Sequence, residues 1–385
     1  MKPGAFSGVR VVELTSYVSG PYAGMLLADF GAEVIKIEPP GKGDPFRGWG
    51  DLDNPFFQSV NRNKKSVTFD LKTEQDCLAA SELVRTCDVL IENFRTGTLE
   101  RLGLGYESVR RFNPTVIYCS ITGFGDHGPY AHKPGYDTIG QAISGLLGLL
   151  TDMNRPLPMG VSISDHLAGM VACTGIMAAL FAREKAGIGQ RVDTSLLEST
   201  VSFIGENATR FLQDGIVPTR ATRTRTAQVF TFVDIEGRPF AIHLSSPQKF
   251  WLGLLHAIER MDWNDDPRFC DRKARITNYD ALCQELGAIF RTGMRSDWLA
   301  RLGHEDVPAC AINNLEELFD DPQVESLGLV VPVPHPKLGE IKLIRNGVRL
   351  SETPTSIHSK APDLGQHNDE LLDPNRERAQ ANASS

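Results

Sequence analysis

Five short β-branched or aliphatic runs in the first 125 positions, separated by stretches of helical character, constrain this chain more than any other feature. Residues 9–14 form the first strand, Gly20-Pro21 breaks it, residues 22–30 are helical, Gly31 ends that helix and residues 34–37 form a second strand. That is a βαβ unit. The pattern recurs as a strand at 66–71, a helix at 74–86, a strand at 89–91, shorter helices around Leu99 and Val109, and a strand at 116–121. Strands covered by helices on both faces predict an α/β fold built on a doubly wound, parallel, Rossmann-like sheet.

Two further helical stretches follow at 137–150 and 165–185, and then a polar, Arg- and Thr-rich segment at 218–226. A second, smaller α+β domain is expected from about Val229. Its antiparallel pair is 230–233 with 240–244, and its helices lie at 251–261, 280–291 and 296–302. Beyond Val330 the chain turns extended and Pro-rich through Pro332, Pro334 and Pro336, and its last dozen residues are expected to fray. A length of 385 residues is too great for one compact core and fits two or three domains.

Charge and cysteine usage narrow the function. A net charge of −8 argues against nucleic acid as the main partner. The chain shows no basic-then-apolar leader and no apolar run of membrane-span length, so no membrane partner and a cytoplasmic location are expected. Cys77, Cys87, Cys119, Cys173, Cys270, Cys283 and Cys310 are odd in number, scattered and never spaced as CxxC. They read as reduced thiols, with neither a disulfide framework nor a metal site.

The βαβ start invites a dinucleotide-binding reading, with Glu38 where a ribose-binding acid would sit. The turn, however, reads Ser19-Gly20-Pro21-Tyr22-Ala23-Gly24, not GxGxxG, and Pro21 removes an N–H that would hold pyrophosphate. Walker, GxSxG and HExxH motifs are absent as well. Basic residues instead gather near strand ends: Asn61-Arg62-Asn63-Lys64-Lys65 before the third strand, Lys72 after it, and Arg95 and Arg101 beyond Glu92-Asn93-Phe94. They read either as a solvated surface or as a phosphate site, with Phe94 offering a face to an adenine ring.

One carboxylate stands out. In the run 159–168, Asp165 opens a long apolar helix in which Gly169 and Gly175 allow another backbone close. Such an Asp is either a helix cap or a nucleophile in the field of free N–H groups. His166 points elsewhere and reads as packing, while His127 and His132 sit in a solvated Gly/Pro loop.

Taken together, the motifs make the chain resemble a class III coenzyme A transferase over nearly its whole length. They run from Ser19-Gly20-Pro21 and Gly31-Ala32-Glu33-Val34-Ile35-Lys36-Ile37-Glu38 through Gly43-Asp44-Pro45-Phe46-Arg47 and Asn61 to Ser66 with Asp70-Leu71-Lys72. They continue in Asp88-Val89-Leu90-Ile91-Glu92-Asn93-Phe94, Gly123-Phe124-Gly125, Pro134-Gly135-Tyr136-Asp137, Gln141-Ala142, Gly189-Gln190 and Leu364-Gly365-Gln366-His367. The resemblance implies that Asp165 is the acyl-accepting nucleophile and that Val18, Ser19, Lys72, Asn93, Phe94, Arg101 and Tyr136 line the coenzyme A site. Pro39 and Pro134 stand where the family carries basic residues, with Lys133 one place earlier. The Gly-rich loop of the formyl-CoA branch has no counterpart.

It further implies no permanently bound cofactor, with coenzyme A and acyl-CoA as substrates and a carboxylic acid as acceptor. Arg220, Arg223 and Arg225 either meet the free carboxylate of a dicarboxylic acid or are solvated. Family architecture implies an interlocked homodimer: a large domain at 1–200, a linker at 201–226, a small domain at 227–329, a linker at 330–355, and a return to the large domain at 356–385. The implied chemistry passes through an aspartyl anhydride and an aspartyl-CoA thioester. Displacement of a thiolate of pKa near 8.5 by an ordinary carboxylate near 4 is uphill by roughly six kcal/mol. Two rivals are an α-methylacyl-CoA racemase, whose second base is a histidine where this chain has Tyr136, and a catalytically silent CoA-binding protein.

Overall fold

The β-branched runs become a six-stranded parallel sheet of β1 (Arg10–Leu14), β2 (Glu33–Glu38), β3 (Lys64–Thr68), β4 (Val89–Glu92), β5 (Ile117–Thr122) and β6 (Gln190–Ser195), in the order β3-β2-β1-β4-β5-β6. This computed structural model describes residues 2–49 and 54–372. The two-residue period of a strand sends alternate side chains to opposite faces. Val11, Val34, Val89, Ile91 and Ile117 join Leu27, Ala168, Ala172 and Ile176 on one side. Val12, Leu14, Ile35, Ile37 and Leu90 join Leu83, Val84 and Val109 on the other. Ile35 and Ile117 are fully buried, so a void left by shortening either costs about 2–5 kcal/mol.

Strand β6 was not foreseen. Its sequence, Gln-Arg-Val-Asp-Thr-Ser, is polar because it closes the edge of the sheet, where its first four residues are exposed or partly exposed.

Helix Ile163–Ala186 is 24 residues long and, by length and composition, apolar enough to cross a membrane. The expectation that no run reaches that length is therefore corrected. In this fold its Ala168, Ala172, Cys173, Ile176 and Ala179 pack on the sheet. A Cβ at Gly169 would stand 2.7 Å from the Ser19 carbonyl oxygen, so glycine there lets this helix meet the start of helix Ser19–Asp29.

The chain divides into two units, one of residues up to 147 with 158–208 and the chain from 328, the other of 148–157 and 209–327. The second unit carries a three-stranded antiparallel sheet, β7 (Val229–Val233), β8 (Pro239–His243) and β9 (Ala309–Ala311). Its core is aromatic, with Phe230, Phe240, Trp251, Trp263 and Phe290 nearly inaccessible.

Both segments expected as linkers carry regular structure. Residues 201–226 contain helix Gly205–Asp214 and most of helix Arg220–Ala227. The 330–355 stretch opens with a hairpin of β10 (Val330–His335) and β11 (Gly339–Ile344) in the first unit. Pro332 and Pro334 share one parity in that ladder, so their missing N–H groups both face away from it.

The chain then returns to the edge of the main sheet. Asn63 receives N–H bonds from His358 and Ser359 at 2.8 and 3.1 Å. Gly365 donates to Ser66 Oγ at 3.0 Å, and Thr68 N–H donates to Asn368 Oδ1 at 2.9 Å. The ending expected to fray lies outside the described residues.

Candidate active site

In a sheet of this order, the strand order reverses between β1 and β4, and the crevice beyond their carboxyl ends is the natural ligand site. The loop leaving β1 is held there by side chains. Asn93 clamps Ser16 from both sides: its Oδ1 accepts the Ser16 N–H at 2.9 Å and its Nδ2 donates to the Ser16 carbonyl at 2.8 Å. Lys36 Nζ donates to the Thr15 carbonyl at 2.8 Å, and Asp44 Oδ1 accepts the Tyr17 N–H at 3.1 Å. Pinned on both flanks, Tyr17 takes a left-handed φ of 62°.

The anchoring groups form a buried ionic cluster. Lys36 pairs with Asp44 at 3.0 Å and with Glu13 at 3.3 Å, and Lys64 pairs with Glu13 at 2.8 Å, all with fully buried side chains. Burial opposes the charge on Lys36, but Asp44 and Glu13 outweigh it and hold its pKa above the ordinary value. Burial brings Lys64 down to about 8 against the pull of Glu13. Removing one partner would strand a buried charge, the costly way to break such a cluster.

A cleft of about 220 Å³ opens above this loop, and Tyr17, Val18, Ser19, Asn93, Phe94, Tyr136 and Asp165 line it. Two helix starts meet in it, and they differ. At the first turn of helix Ile163–Ala186 the free N–H groups are already taken, for Asp137 Oδ1 accepts from Ser164 at 2.8 Å and from Asp165 at 3.3 Å. Gln141 steadies Asp137 through a 2.6 Å bond. Asp137 is thus the cap, and among the described residues no donor bonds the Asp165 carboxylate. Burial, with the Asp137 charge adding to it, pushes Asp165 up to about 7.

At the start of helix Ser19–Asp29 the reverse holds. Tyr22 N–H bonds the Val18 carbonyl at 2.8 Å, Pro21 has no N–H, and the N–H groups of Val18, Ser19 and Gly20 have no partner among the described residues. They form a positive helix end at a cleft that holds a carboxylate.

Of the residues singled out from sequence, Val18, Ser19, Asn93, Phe94, Tyr136 and Asp165 come together here. Lys72, four residues past the end of β3, and Arg101, at the end of helix Thr98–Arg101, are exposed and do not line this cleft. The cations that line it are Arg95 and Lys133, the latter with Nζ 3.9 Å from the Tyr130 ring centroid. No histidine lines it: His166 bonds the Ser162 carbonyl at 2.7 Å and packs edge-on to Tyr22.

The Asn61 to Lys65 cluster, read as surface or phosphate site, is neither. Arg62 bonds Asp29 at 2.6 and 3.0 Å inside the protein, Lys64 pairs with Glu13, and Lys65 pairs with Glu33 and Glu370. Glu38 is buried rather than ribose-facing: despite burial, Arg47, Lys36 and Ser66 draw it down to about 2. In the second unit, Arg225 pairs with the Asp280 carboxylate at 2.6 Å. Reading the sequence missed Tyr17, Asp44 and Asp137 as parts of the site, although Gly43-Asp44 and Tyr136-Asp137 stood inside the quoted motifs.

Comparison with known proteins decides the family. The family model described as CoA-transferase family III matches residues 6–368. The chain belongs to CoA-transferase family III. The transferase is 34% identical to the succinyl-CoA:glutarate CoA-transferase of Mus musculus over 97% of this chain and 86% of the relative. It is 36% identical to the succinyl-CoA–D-citramalate CoA-transferase of Chloroflexus aurantiacus over 96% and 94%. A crystal structure of a CAIB/BAIF family protein from Brucella suis superposes with a TM-score of 0.85 at 33% identity, covering 99% and 100% of the two chains. The enzyme is therefore a CoA-transferase that takes CoA thioesters as substrates.

Proposed function

We propose that this transferase moves coenzyme A from succinyl-CoA, or a similar acyl-CoA, to a dicarboxylic acid through covalent intermediates on Asp165. The observation that carries this is a half-buried carboxylate held near pKa 7 in a cleft lined by Val18 and Ser19 at a helix start, with neither the carboxylate nor the N–H groups of Val18, Ser19 and Gly20 hydrogen-bonded among the described residues. Against a thiolate of pKa near 8.5 the uphill gap shrinks to about 2 kcal/mol.

Asp165 attacks the thioester carbonyl, the C–S bond breaks, and a mixed anhydride and CoA thiolate form. The thiolate attacks the aspartyl carbonyl, expels the donor carboxylate and leaves an aspartyl-CoA thioester. The acceptor carboxylate attacks that thioester to give a second anhydride and free the thiolate again. Thiolate attack on the acceptor carbonyl then releases Asp165 and the new acyl-CoA. Each step places negative charge on a carbonyl oxygen, and the Val18 to Gly20 N–H groups are the donors assigned to it. No net proton is consumed. The phosphates of coenzyme A are assigned to Arg95, Lys133, Lys72 and Arg101, with Phe94 as the adenine face.

The active form is proposed to be a homodimer, supported by the apolar surface left open on the first unit. Val201 and Phe203 on helix Leu196–Phe203 are 39% and 60% exposed, and Phe181 is 64% exposed. A cytoplasmic location is proposed on the strength of seven unpaired thiols.

The test incubates the enzyme with succinyl-CoA and glutarate, follows glutaryl-CoA by mass spectrometry, and traps the acylated enzyme with hydroxylamine. A hydroxamate at position 165 is expected. Turnover without any mark there overturns the pathway.

A further inference from the structure

The lining of the cleft combines two kinds of chemistry. One is polar and cationic, from Asn93, Arg95 and Lys133. The other is aromatic: the Tyr17 ring meets Tyr136 edge-on at 5.8 Å and Trp49 at 6.2 Å, with Phe46 behind it at 6.3 Å. An acyl-CoA is divided in the same way, with a polyanionic head and an acyl group without phosphates. Charge complementarity draws the phosphates of the head to the cations, which leaves the aromatic group around Tyr17 for the acyl chain.

Tyr17 is the residue that the protein goes furthest to place there. A β-branched or bulky side chain in the left-handed region is strained, and glycine or asparagine is the usual occupant. Here Asp44, Lys36 and Asn93 fix the backbone on both sides of Tyr17, and the resulting φ of 62° throws its ring across the cleft toward Tyr136. Burial, and then the neighbouring Tyr136, hold its phenol in the neutral form. We infer that Tyr17 is the specificity-determining wall of the acyl subsite, an aromatic stop that limits the length and bulk of the acid exchanged. The inference rests on the CoA-transferase reading of the Asp165 cleft.

The Tyr17→Gly variant tests it cleanly, because glycine adopts this φ without strain and removes only the ring. With succinyl-CoA as donor, kcat/KM is measured for straight-chain dicarboxylic acids of increasing length and for a phenyl-substituted acid. In Tyr17→Gly the ratio of long or bulky to short acid is expected to rise at least tenfold. Tyr17→Phe keeps the ring and is expected to keep the wild-type ratio. A uniform loss across the panel, an unchanged ratio in Tyr17→Gly, or an equal shift in Tyr17→Phe overturns the assignment. Transfer by the wild-type enzyme with an unchanged ratio in the glycine variant defeats this inference alone. Absence of transfer by the wild-type enzyme to every acid defeats the proposed function with it.

Discussion

Two helix starts contribute to one cleft, and their N–H groups are used in opposite ways. Helix Ile163–Ala186 has its first N–H groups saturated by Asp137, so its electropositive end is partly quenched and the Asp165 carboxylate is left desolvated and reactive. Helix Ser19–Asp29 is uncapped by any side chain and keeps its N–H groups for whatever enters. In the proposed mechanism the same backbone device serves as the seat of the nucleophile at one end and as a cradle for developing negative charge at the other. An Asp at a helix start is not self-evidently a cap, and the way to tell is to ask whether another group already holds the N–H groups.

The sharpest way to break this contrast is Asp165→Asn. It keeps the shape and removes the attacking oxygen, and transfer is expected to fall by roughly 10⁴-fold or more in a direct thioester-exchange assay. Next comes the other helix start. A Cβ at Gly20 would lie 2.5 Å from Thr15 Cγ2, so Gly20→Ala pushes the donor loop away from the cleft. Steady-state kinetics should show kcat lower by about 100-fold with a smaller change in KM for the CoA donor.

A third test uses stability. Asp165 is raised to about 7 in the folded protein from its ordinary 3.8, so the native state binds a proton the unfolded chain has lost, and stability declines as pH climbs between those values. Denaturant titration at pH 8 should find Asp165→Asn more stable than the wild type by about 2–4 kcal/mol, with the gain fading toward pH 4. The smallest effect belongs to Asp137→Asn. It keeps an acceptor for the Ser164 N–H but removes the repelling charge, so the acid limb of the kcat/KM profile, which rises as Asp165 ionises near pH 7, should move to lower pH.

The sheet was legible because its four inner strands, β2, β1, β4 and β5, are largely apolar on both faces, a pattern that a covered parallel sheet explains. Legibility failed where partners are remote in sequence. Arg62 and Lys64 looked like a surface patch because Asp29 and Glu13, which neutralise them, lie 33 and 51 positions away. Asp137 sits 28 positions before the N–H of Asp165 that it holds, so nothing local signalled that the capping role was filled. β6 and helix Arg220–Ala227 escaped because their residues are chosen for solvent, and the hairpin of β10 and β11 escaped because its prolines mask a ladder that needs none of their N–H groups. Asp165, the proposed nucleophile, was singled out through the family motifs around it, while Asp137, which takes the N–H groups beside it, was not.

The return of residues 356–368 to strand β3 has a consequence for how the enzyme comes into being. Ser66, Thr68 and Asn63 wait nearly 300 positions for their partners. A ribosome that has finished the entire second unit still carries a first unit whose β3 edge is raw, and the nascent protein cannot seal it until residues 356–368 have been made.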